Sequence, residues 1–193
     1  MPNAGKPSSA EAGKSWPAIA RRIRVPLGFA FAAFYLAVAR PTRNSLLWGS
    51  SLIIAGLVIR ALASANVEKN ERLTTTGPYA YTRNPLYLGS LVLAGGFAVA
   101  ALSVWIVLGM VAIFSAVYIP VILSEESYLR QKFPEFAGYA KHVPRLLPRL
   151  THFRNQPSGF SWSLYWKHRE YNATVGAVIM FAALIGKHCW ISS

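Results

Sequence analysis

The chain has 193 residues, of which 53% are hydrophobic and 14% charged, and its seven acidic residues are all Glu. Soluble domains usually carry about 25% charged residues, so this composition excludes an ordinary soluble domain. It predicts an all-α integral membrane helical bundle with about five transmembrane helices. The net charge of +13 is not accompanied by a recognition motif for nucleic acid, and we expect no nucleic-acid partner.

Composition and apolar runs divide the chain into five parts. We predict a disordered arm over 1–20, two transmembrane helices within 21–65, a core over 66–150 that holds a helical hairpin and a cytosolic cofactor segment, an interfacial basic and aromatic segment over 151–172, and a C-terminal transmembrane helix over 173–193. The apolar runs themselves lie at about 25–39, 45–65, 86–102, 104–123 and 173–190. Crossing a bilayer takes about 20 residues, and some of these runs are shorter.

The basic residues are distributed unevenly between the two sides that these spans define. Sixteen Lys and Arg fall on the side of the N-terminus, against three on the other side. Cytoplasmic segments are enriched in basic residues, so we expect the N-terminus, the 66–85 loop and the 124–172 segment in the cytoplasm and the C-terminus outside. The excess charge also favours membrane lipid as a partner, through attraction to anionic headgroups.

The N-terminal region allows a second interpretation. Residues 1–39 combine a basic arm, an apolar stretch and Ala37-Val38-Ala39, which is similar to a signal-peptide cleavage site. We prefer a retained first helix, because retention preserves the charge asymmetry.

Cysteine and histidine usage bears on metal binding. A single Cys189 excludes an internal disulfide and a Cys-based metal site. The four His residues show no metal-ligand spacing either, and we therefore expect no metal.

Polar residues flank the apolar stretch 86–123. Asn84 stands where a helix N-cap is preferred, and Pro85 stands where the first helical residue is preferred. Glu125 and Glu126 follow the stretch. Two antiparallel membrane helices over 86–123 would return the Glu pair to the side of the bilayer on which Asn84 lies.

A helix N-terminus, a carboxylate pair and several tyrosines would then meet at one depth. The N-terminus suits a carboxylate, the Glu pair suits an ammonium, and the rings of Tyr79, Tyr81 and Tyr87 suit a cation. A ligand with a carboxylate, an ammonium and a sulfonium uses all three, and S-adenosylmethionine is such a ligand. Taken singly, Arg83-Asn84-Pro85 is equally typical of a simple helix cap, the Glu pair is more typical of a solvated helix face, and the tyrosines are compatible with an interfacial belt.

Two segments carry a resemblance to a known family. They are Gly77-Pro-Tyr-x-Tyr-x-Arg-Asn-Pro-x-Tyr-x-Gly89, and Glu125-Glu126-x-x-Leu129 followed by Phe133, Tyr139 and Val143-Pro-Arg-Leu-Leu-Pro148. Together they resemble the isoprenylcysteine carboxyl methyltransferase family and the related membrane phospholipid methyltransferases. The resemblance covers residues 66–150, so it identifies that part as a methyltransferase core.

The resemblance implies a multi-pass membrane methyltransferase that binds S-adenosylmethionine at the cytosolic end of the hairpin. It implies a cofactor site formed by Leu73 and Thr74 on the adenine side, by Tyr79, Asn84, Pro85 and Tyr87 along the pocket, and by Glu125 and Glu126. Arg83 matches a family arginine near the cofactor and is our candidate catalytic residue, with a structural role as the alternative.

The chain departs from the family pattern in three places. Asn84 replaces the usual His, and Phe133-Pro-Glu-Phe136 is one residue shorter than the usual lid motif. Residues 118–124 lack the basic residue that eukaryotic isoprenylcysteine enzymes have for the substrate carboxylate. This third departure weighs against prenylcysteine as the substrate.

The sequence therefore predicts a membrane methyltransferase that acts on a lipophilic small-molecule or lipidated substrate. The acceptor group would be an isoprenylcysteine-like carboxylate, a thiol or a phospholipid amine. A sterol-reductase type of membrane enzyme that uses NADPH is one alternative, since such enzymes share an Arg-His-Pro-x-Tyr-x-Gly segment. A non-enzymatic membrane accessory protein is the other.

Two further features are interpreted structurally. Arg60, inside the second span, is taken as an anchor whose stem reaches the headgroups, with a residue of a substrate or ion pathway as the alternative. Gly89, Gly95, Gly96 and Gly109 are taken as helix-packing positions.

Overall fold

A computed structural model describes residues 16–68, 71–153 and 159–192, and its regular elements are all helical. The α-helices are α1 (Trp16–Val38), α2 (Arg43–Ser64), α3 (Pro85–Ala101), α4 (Val104–Lys132), α5 (Phe136–His142), α6 (Trp162–Lys167) and α7 (Tyr171–Ser192), and a short 3₁₀ helix (Gly77–Ala80) precedes α3.

The helices α2, α4 and α7 are long and apolar enough to cross a membrane. Two shorter apolar helical stretches, Pro26–Val38 of α1 and α3, pack beside them. The predicted membrane helical bundle is thus confirmed. The exposed apolar side chains on the long helices, such as Trp48, Ile54 and Val178, face outward, as they would toward lipid.

The N-terminal prediction is partly wrong. Residues 1–15 lie outside the described residues, but residues 16–20 are helical because α1 begins at Trp16. Pro17 does not oppose this start, since proline is accepted in the first turn of a helix, where its missing N–H is not needed.

Glycines bring α2 and α3 into the most extensive contact between elements of the described structure. Gly56 faces Gly89, and Gly49 faces Gly96, so that a Cβ built on Gly56 would lie 2.5 Å from the backbone nitrogen of Leu93. The expected packing role is confirmed for Gly89 and Gly96. It is wrong for Gly95, which has nothing within 4 Å of a Cβ position.

We expect Gly96→Ala to lower the free energy of unfolding by about 1–3 kcal/mol, the usual cost of overpacking. A Cβ on Gly96 would lie 2.7 Å from the nitrogen of Ile53 and 2.8 Å from the carbonyl oxygen of Gly49, so α2 and α3 must separate. Gly95→Ala, one residue away on the open face, is the matched control. Chemical denaturation in maltoside micelles measures both, and equal stabilities of the two variants would contradict this packing.

The fourth span differs from the prediction, because α4 continues through the Glu pair to Lys132 instead of ending near 123. Pro120 lies inside α4 without breaking it, and the wide π turn Phe114–Tyr118 ends two residues before it. Proline cannot donate the backbone hydrogen bond of a regular turn, and a π turn is one known way for a helix to absorb such an irregularity.

Candidate functional site

A cavity of about 920 Å³ lies where the ends of α2, α3 and α4 meet. Eight of the nine residues that the resemblance assigns to the site line it, namely Leu73, Thr74, Tyr79, Arg83, Asn84, Tyr87, Glu125 and Glu126. The ninth, Pro85, does not line the cavity; it is fully buried at the first position of α3. Tyr81, whose ring was also expected to face a cation, does not line it, and its hydroxyl lies 2.6 Å from His152 Nε2. The structure thus brings the predicted site residues together.

One wall of the cavity is built from the two segments that carry the resemblance. Backbone and side-chain hydrogen bonds join 79–83 to 143–153: Arg83 N to Pro144 O (2.9 Å), Thr82 Oγ1 to Leu146 O (3.0 Å), Arg149 N to Tyr81 O (3.0 Å) and Phe153 N to Ala80 O (3.2 Å). Below them, the buried side chains of Phe136, Tyr139 and Val143 form a small apolar core. The backbone that carries Tyr79 and Arg83 is therefore fixed from both sides.

Glu126 is the centre of a buried polar cluster. Its Oε1 accepts a hydrogen bond from Asn84 Nδ2 at 3.0 Å, and its Oε2 lies 3.1 Å from Arg145 Nε and 3.3 Å from Arg83 Nη1. The side chains of Arg83 and Glu126 are 12% and 9% exposed. One carboxylate is thus shared by two guanidinium groups, which leaves a local excess of positive charge.

Arg83 has a donor that no described residue uses. Its Nε is buried and makes no hydrogen bond within the described part of the chain. A buried N–H without a partner costs free energy unless a ligand or water accepts from it. Because Arg83 lines the cavity, this donor suits an anionic group of a bound molecule.

Asn84 occupies the N-cap position of α3, but its side chain does not cap the helix. The amide nitrogen donates instead to Glu126 Oε1 and to the carbonyl oxygen of Arg145, each at 3.0 Å. The predicted cap is therefore right in position and wrong in chemistry. Asn84 serves the buried cluster, because a charged acceptor is a stronger partner than a backbone N–H of the helix.

We expect Asn84→Ala to lower the free energy of unfolding by about 1–3 kcal/mol, because two buried acceptors lose their donor. Asn84→Ser tells the two roles apart: serine is a good N-cap, but its short side chain cannot replace both amide hydrogen bonds. Denaturation in maltoside micelles should find the two variants equally destabilised. Wild-type stability in Asn84→Ser would show that capping is the role of this residue.

Glu125 differs from its neighbour in having no cationic partner among the described residues. Its Oε1 accepts a hydrogen bond from the hydroxyl of Tyr87 at 3.0 Å, and its side chain is exposed toward the cavity. Consecutive carboxylates thus differ in charge balance, since Glu126 is overcompensated and Glu125 is uncompensated. The cavity presents a positive and a negative region side by side.

Two tyrosines near these regions are held neutral by burial. Burial raises the pKa of the Tyr79 hydroxyl above its ordinary value, and the neighbouring Tyr139 raises it further. The pKa of Tyr139 is raised chiefly by burial as well, and its hydroxyl donates to the carbonyl oxygen of Tyr79 at 2.7 Å. Both remain hydroxyl donors at neutral pH, so neither is available as a tyrosinate base.

The cavity has a second polar end that the sequence did not predict. Arg60 Nε lies 2.6 Å from Glu170 Oε1, Arg60 Nη1 donates to Ser90 Oγ, and all three residues line the cavity. Nearby, His168 Nδ1 lies 3.0 Å from the carbonyl oxygen of Ser64. The interpretation of Arg60 as a headgroup anchor is therefore wrong, because its guanidinium is turned inward onto Glu170.

A signal for this second end was present in the sequence. Charged residues within or beside membrane spans are expensive and usually face a partner or a cavity. Glu170 immediately precedes the last span, and the chain has only seven acidic residues. Arg145 gave no comparable signal, since it lies in a basic segment.

The structure is a membrane helical bundle with a polar cavity at the end of its central helices. Residues 48–135 match the family model described as phospholipid methyltransferase. This segment contains Arg60, Arg83 and the Glu pair, and the match confirms the resemblance to the membrane phospholipid methyltransferases. The NADPH-dependent reductase receives no support from this match.

Two curated proteins are similar to this chain. The cobalt-zinc-cadmium resistance protein CzcN of Cupriavidus metallidurans is 36% identical over 119 residues, which cover 61% of this chain and 52% of that protein. The nickel-cobalt-cadmium resistance protein NccN of Alcaligenes xylosoxydans xylosoxydans is 38% identical over 88 residues, which cover 46% and 41%. The chain thus spans about half the length of these relatives. No solved structure matches it.

The expectation that metal is not involved is contradicted by these relatives. Both are named for resistance to cobalt, cadmium and a further metal. The described residues contain no group of three or more His, Cys or acidic side chains that could hold an ion. The spacing of Cys and His residues can indicate only a metal site formed by this chain itself. It gives no information on a role in metal resistance that does not require such a site.

Proposed function

We propose that this protein is an S-adenosylmethionine-dependent membrane methyltransferase that acts on a lipophilic acceptor. The family match over residues 48–135 supports the reaction class. The observation that carries the cofactor assignment is the opposite charge balance of Glu125 and Glu126 in one cavity. Neither a helix cap nor a solvated helix face requires such an arrangement.

The charges of the cavity fit the amino-acid end of S-adenosylmethionine. Glu125, which has no cation partner among the described residues, would hold the ammonium or the sulfonium. The positive region around Arg83, whose buried Nε has no partner in the described chain, would hold the carboxylate. Hydrogen bonds that involve charged groups are about twice as strong as neutral ones, so these two contacts would fix the orientation of the cofactor.

Aromatic and apolar side chains fit the remainder of the cofactor. Tyr79 and Tyr87 line the cavity beside the carboxylates, and an aromatic face attracts a cation by roughly 0.5–2 kcal/mol. Leu73 and Thr74 line the cavity together with Leu129 and Phe133, and this less polar part would suit the adenine. Arg83 is then a residue that binds the cofactor, and it performs no proton transfer.

When bound, S-adenosylmethionine would supply an electrophilic methyl group. The residues of the chain then need only bind, orient and exclude water, because a thiolate, a carboxylate or a neutral amine needs no general base. Proper orientation of two reactants can contribute about 7–11 kcal/mol to lowering a barrier. The hydrogen bonds that join segments 79–83 and 143–153 would provide the rigidity that such orientation requires.

The charge asymmetry of the loops supports a cytosolic position for the site. Arg72, Arg83 and Arg145 all lie at the cavity end of the bundle, whereas Arg40 and Lys187 belong to the opposite end. Positive charge accumulates on the cytoplasmic side of membrane proteins, which is also the side that supplies S-adenosylmethionine.

A labelled-methyl transfer assay tests the reaction. The full chain in maltoside micelles or nanodiscs would be given methyl-labelled S-adenosylmethionine and a panel of thiols, prenylcysteine analogues and aminophospholipids. We expect label in at least one lipophilic acceptor, and much less label after Glu125→Ala when the cofactor is kept below the weakened affinity. Label in no acceptor, from a protein shown to be folded, would contradict a methyltransferase.

The names of the relatives lead to a prediction in cells. We propose that the activity supports growth under metal stress, so a strain that lacks this protein should lose tolerance to cobalt, cadmium, zinc or nickel. The wild-type gene should restore growth, whereas Glu125→Ala should not, because the cofactor site would be required. Growth curves across a metal series measure this. Full rescue by Glu125→Ala at equal protein level would favour a non-enzymatic accessory role.

A further inference from the structure

Arg60 is held at the cavity by three features of its surroundings. Glu170 Oε1 lies 2.6 Å from Arg60 Nε, and Ser90 Oγ accepts a hydrogen bond from Arg60 Nη1. The aliphatic part of the Arg60 side chain packs against Gly89. A Cβ on Gly89 would lie 2.6 Å from Arg60 Cγ, so this glycine leaves the space through which the stem passes. The guanidinium is thereby fixed in one orientation beside the membrane-spanning helices.

Part of this guanidinium remains available. Arginine has five N–H donors, and among the described residues we find no hydrogen bond to Arg60 Nη2. The side chain is 22% exposed, and it lines the cavity together with Ser90. A bound molecule could therefore accept from Arg60 without displacing Glu170.

Charge balance indicates what that molecule would be. Arg60, Arg72 and Arg83 line the cavity, and Arg145 joins them through Glu126. Four carboxylates also line it, from Glu68, Glu125, Glu126 and Glu170. These charges cancel among the described residues. S-adenosylmethionine carries a net positive charge, so a cavity that contains it would hold an excess positive charge, which an anionic acceptor would neutralise.

We propose that Arg60, oriented by Glu170 and Ser90, is the specificity-determining residue that binds an anionic group of the acceptor. This inference rests on the proposed function and deepens it. The group is a phosphate or a carboxylate of an amphiphile whose apolar part lies toward the membrane.

The test measures binding of amphiphiles that cannot be methylated, so that it does not depend on turnover. The full chain in uncharged maltoside micelles is titrated with an alkyl phosphate, a fatty acid and an alkanol of equal chain length, with and without S-adenosylmethionine. We expect wild type to bind at least one anion about tenfold more tightly than the alkanol. The phosphate and carboxylate arms identify which anion it prefers.

Cofactor binding should increase this preference, because the positive charge of S-adenosylmethionine attracts an anion. The anion should strengthen cofactor binding by the same factor, since the coupling between two ligands is reciprocal. Arg60→Gln should abolish most of the preference. Arg72→Gln is the matched control, since Arg72 also lines the cavity and pairs with a Glu but is 70% exposed. It should retain most of the preference for the anion.

A purely structural ion pair gives a different pattern. The reversed pair, Arg60→Glu with Glu170→Arg, should regain thermal stability that Arg60→Gln loses, but not the preference for anions. Equal wild-type affinities for the anions and the alkanol, or an undiminished preference in Arg60→Gln, would overturn the role of Arg60. Failure to bind S-adenosylmethionine would instead overturn the proposed function, and this inference with it.

Discussion

Replacing Glu126 with alanine should lower the free energy of unfolding by about 3–5 kcal/mol, which is the cost of removing one partner of a buried ion pair. Arg83 would be left buried at 12% exposure without a counter-ion, and Asn84 would lose a charged acceptor. Chemical denaturation in maltoside micelles measures the loss. The same variant should bind S-adenosylmethionine more weakly, because the cluster that positions Arg83 is gone.

Two further variants define the cause. Glu71→Ala breaks a surface pair with Lys167 in which both side chains are 63% exposed, and exposed pairs contribute about 0–1 kcal/mol. Arg83→Met in the Glu126→Leu background removes both buried charges and should recover part of the lost stability. A Glu126→Ala protein no less stable than Glu71→Ala would contradict a buried cluster.

Glu125→Ala should weaken S-adenosylmethionine binding by about 10- to 100-fold while leaving the protein folded. The carboxylate has no cation partner among the described residues and accepts only the Tyr87 hydroxyl there, so its removal breaks no ion pair of the fold. A hydrogen bond to a charged group contributes about 1.5–3 kcal/mol, which corresponds to this loss of affinity. Calorimetric titration is the measurement.

The charge and the hydrogen bond at Glu125 can be distinguished. Glu125→Gln keeps an acceptor for Tyr87 and removes the charge, so it should bind almost as weakly as Glu125→Ala. Glu68→Ala is the control, because Glu68 lines the same cavity but is already paired with Arg72 at 2.6 Å. Wild-type affinity in Glu125→Gln would exclude a role for the negative charge in binding the cofactor.

The membrane helices were predictable because they depend on local composition. An apolar run of about 20 residues must form its backbone hydrogen bonds within itself when it crosses a bilayer, and α2, α4 and α7 follow this rule. The end of α4 was not predictable from apolar character. Its helix passes through Glu125 and Glu126 to Lys132, because polar side chains end a transmembrane segment without ending the helix.

The first half of the site was predictable because its residues lie at the ends of one hairpin. Asn84 and Glu126 are 42 residues apart, yet two antiparallel membrane helices over 86–123 must return them to the same side of the bilayer. The cap hydrogen bond of Asn84 was predicted wrongly, because local capping rules cannot show that a buried carboxylate lies within reach of the same amide.

The second half of the site depends on packing that local rules do not encode. Arg60 and Glu170 are 110 residues apart, and they meet only because α7 begins beside the end of α2. An arginine near the end of a span is equally compatible with the headgroup region. Only the position of Glu170 in the folded chain decides between an anchor and a cavity residue.

The most direct test of the central proposal is a calorimetric titration of the purified full chain with S-adenosylmethionine, with NADPH as the comparison ligand. We expect saturable binding of S-adenosylmethionine, which the Glu125→Ala variant weakens, and no binding of NADPH. Binding of NADPH in place of S-adenosylmethionine, or no binding of S-adenosylmethionine by protein that is demonstrably folded, would contradict the assignment of the cavity as a methyl-donor site.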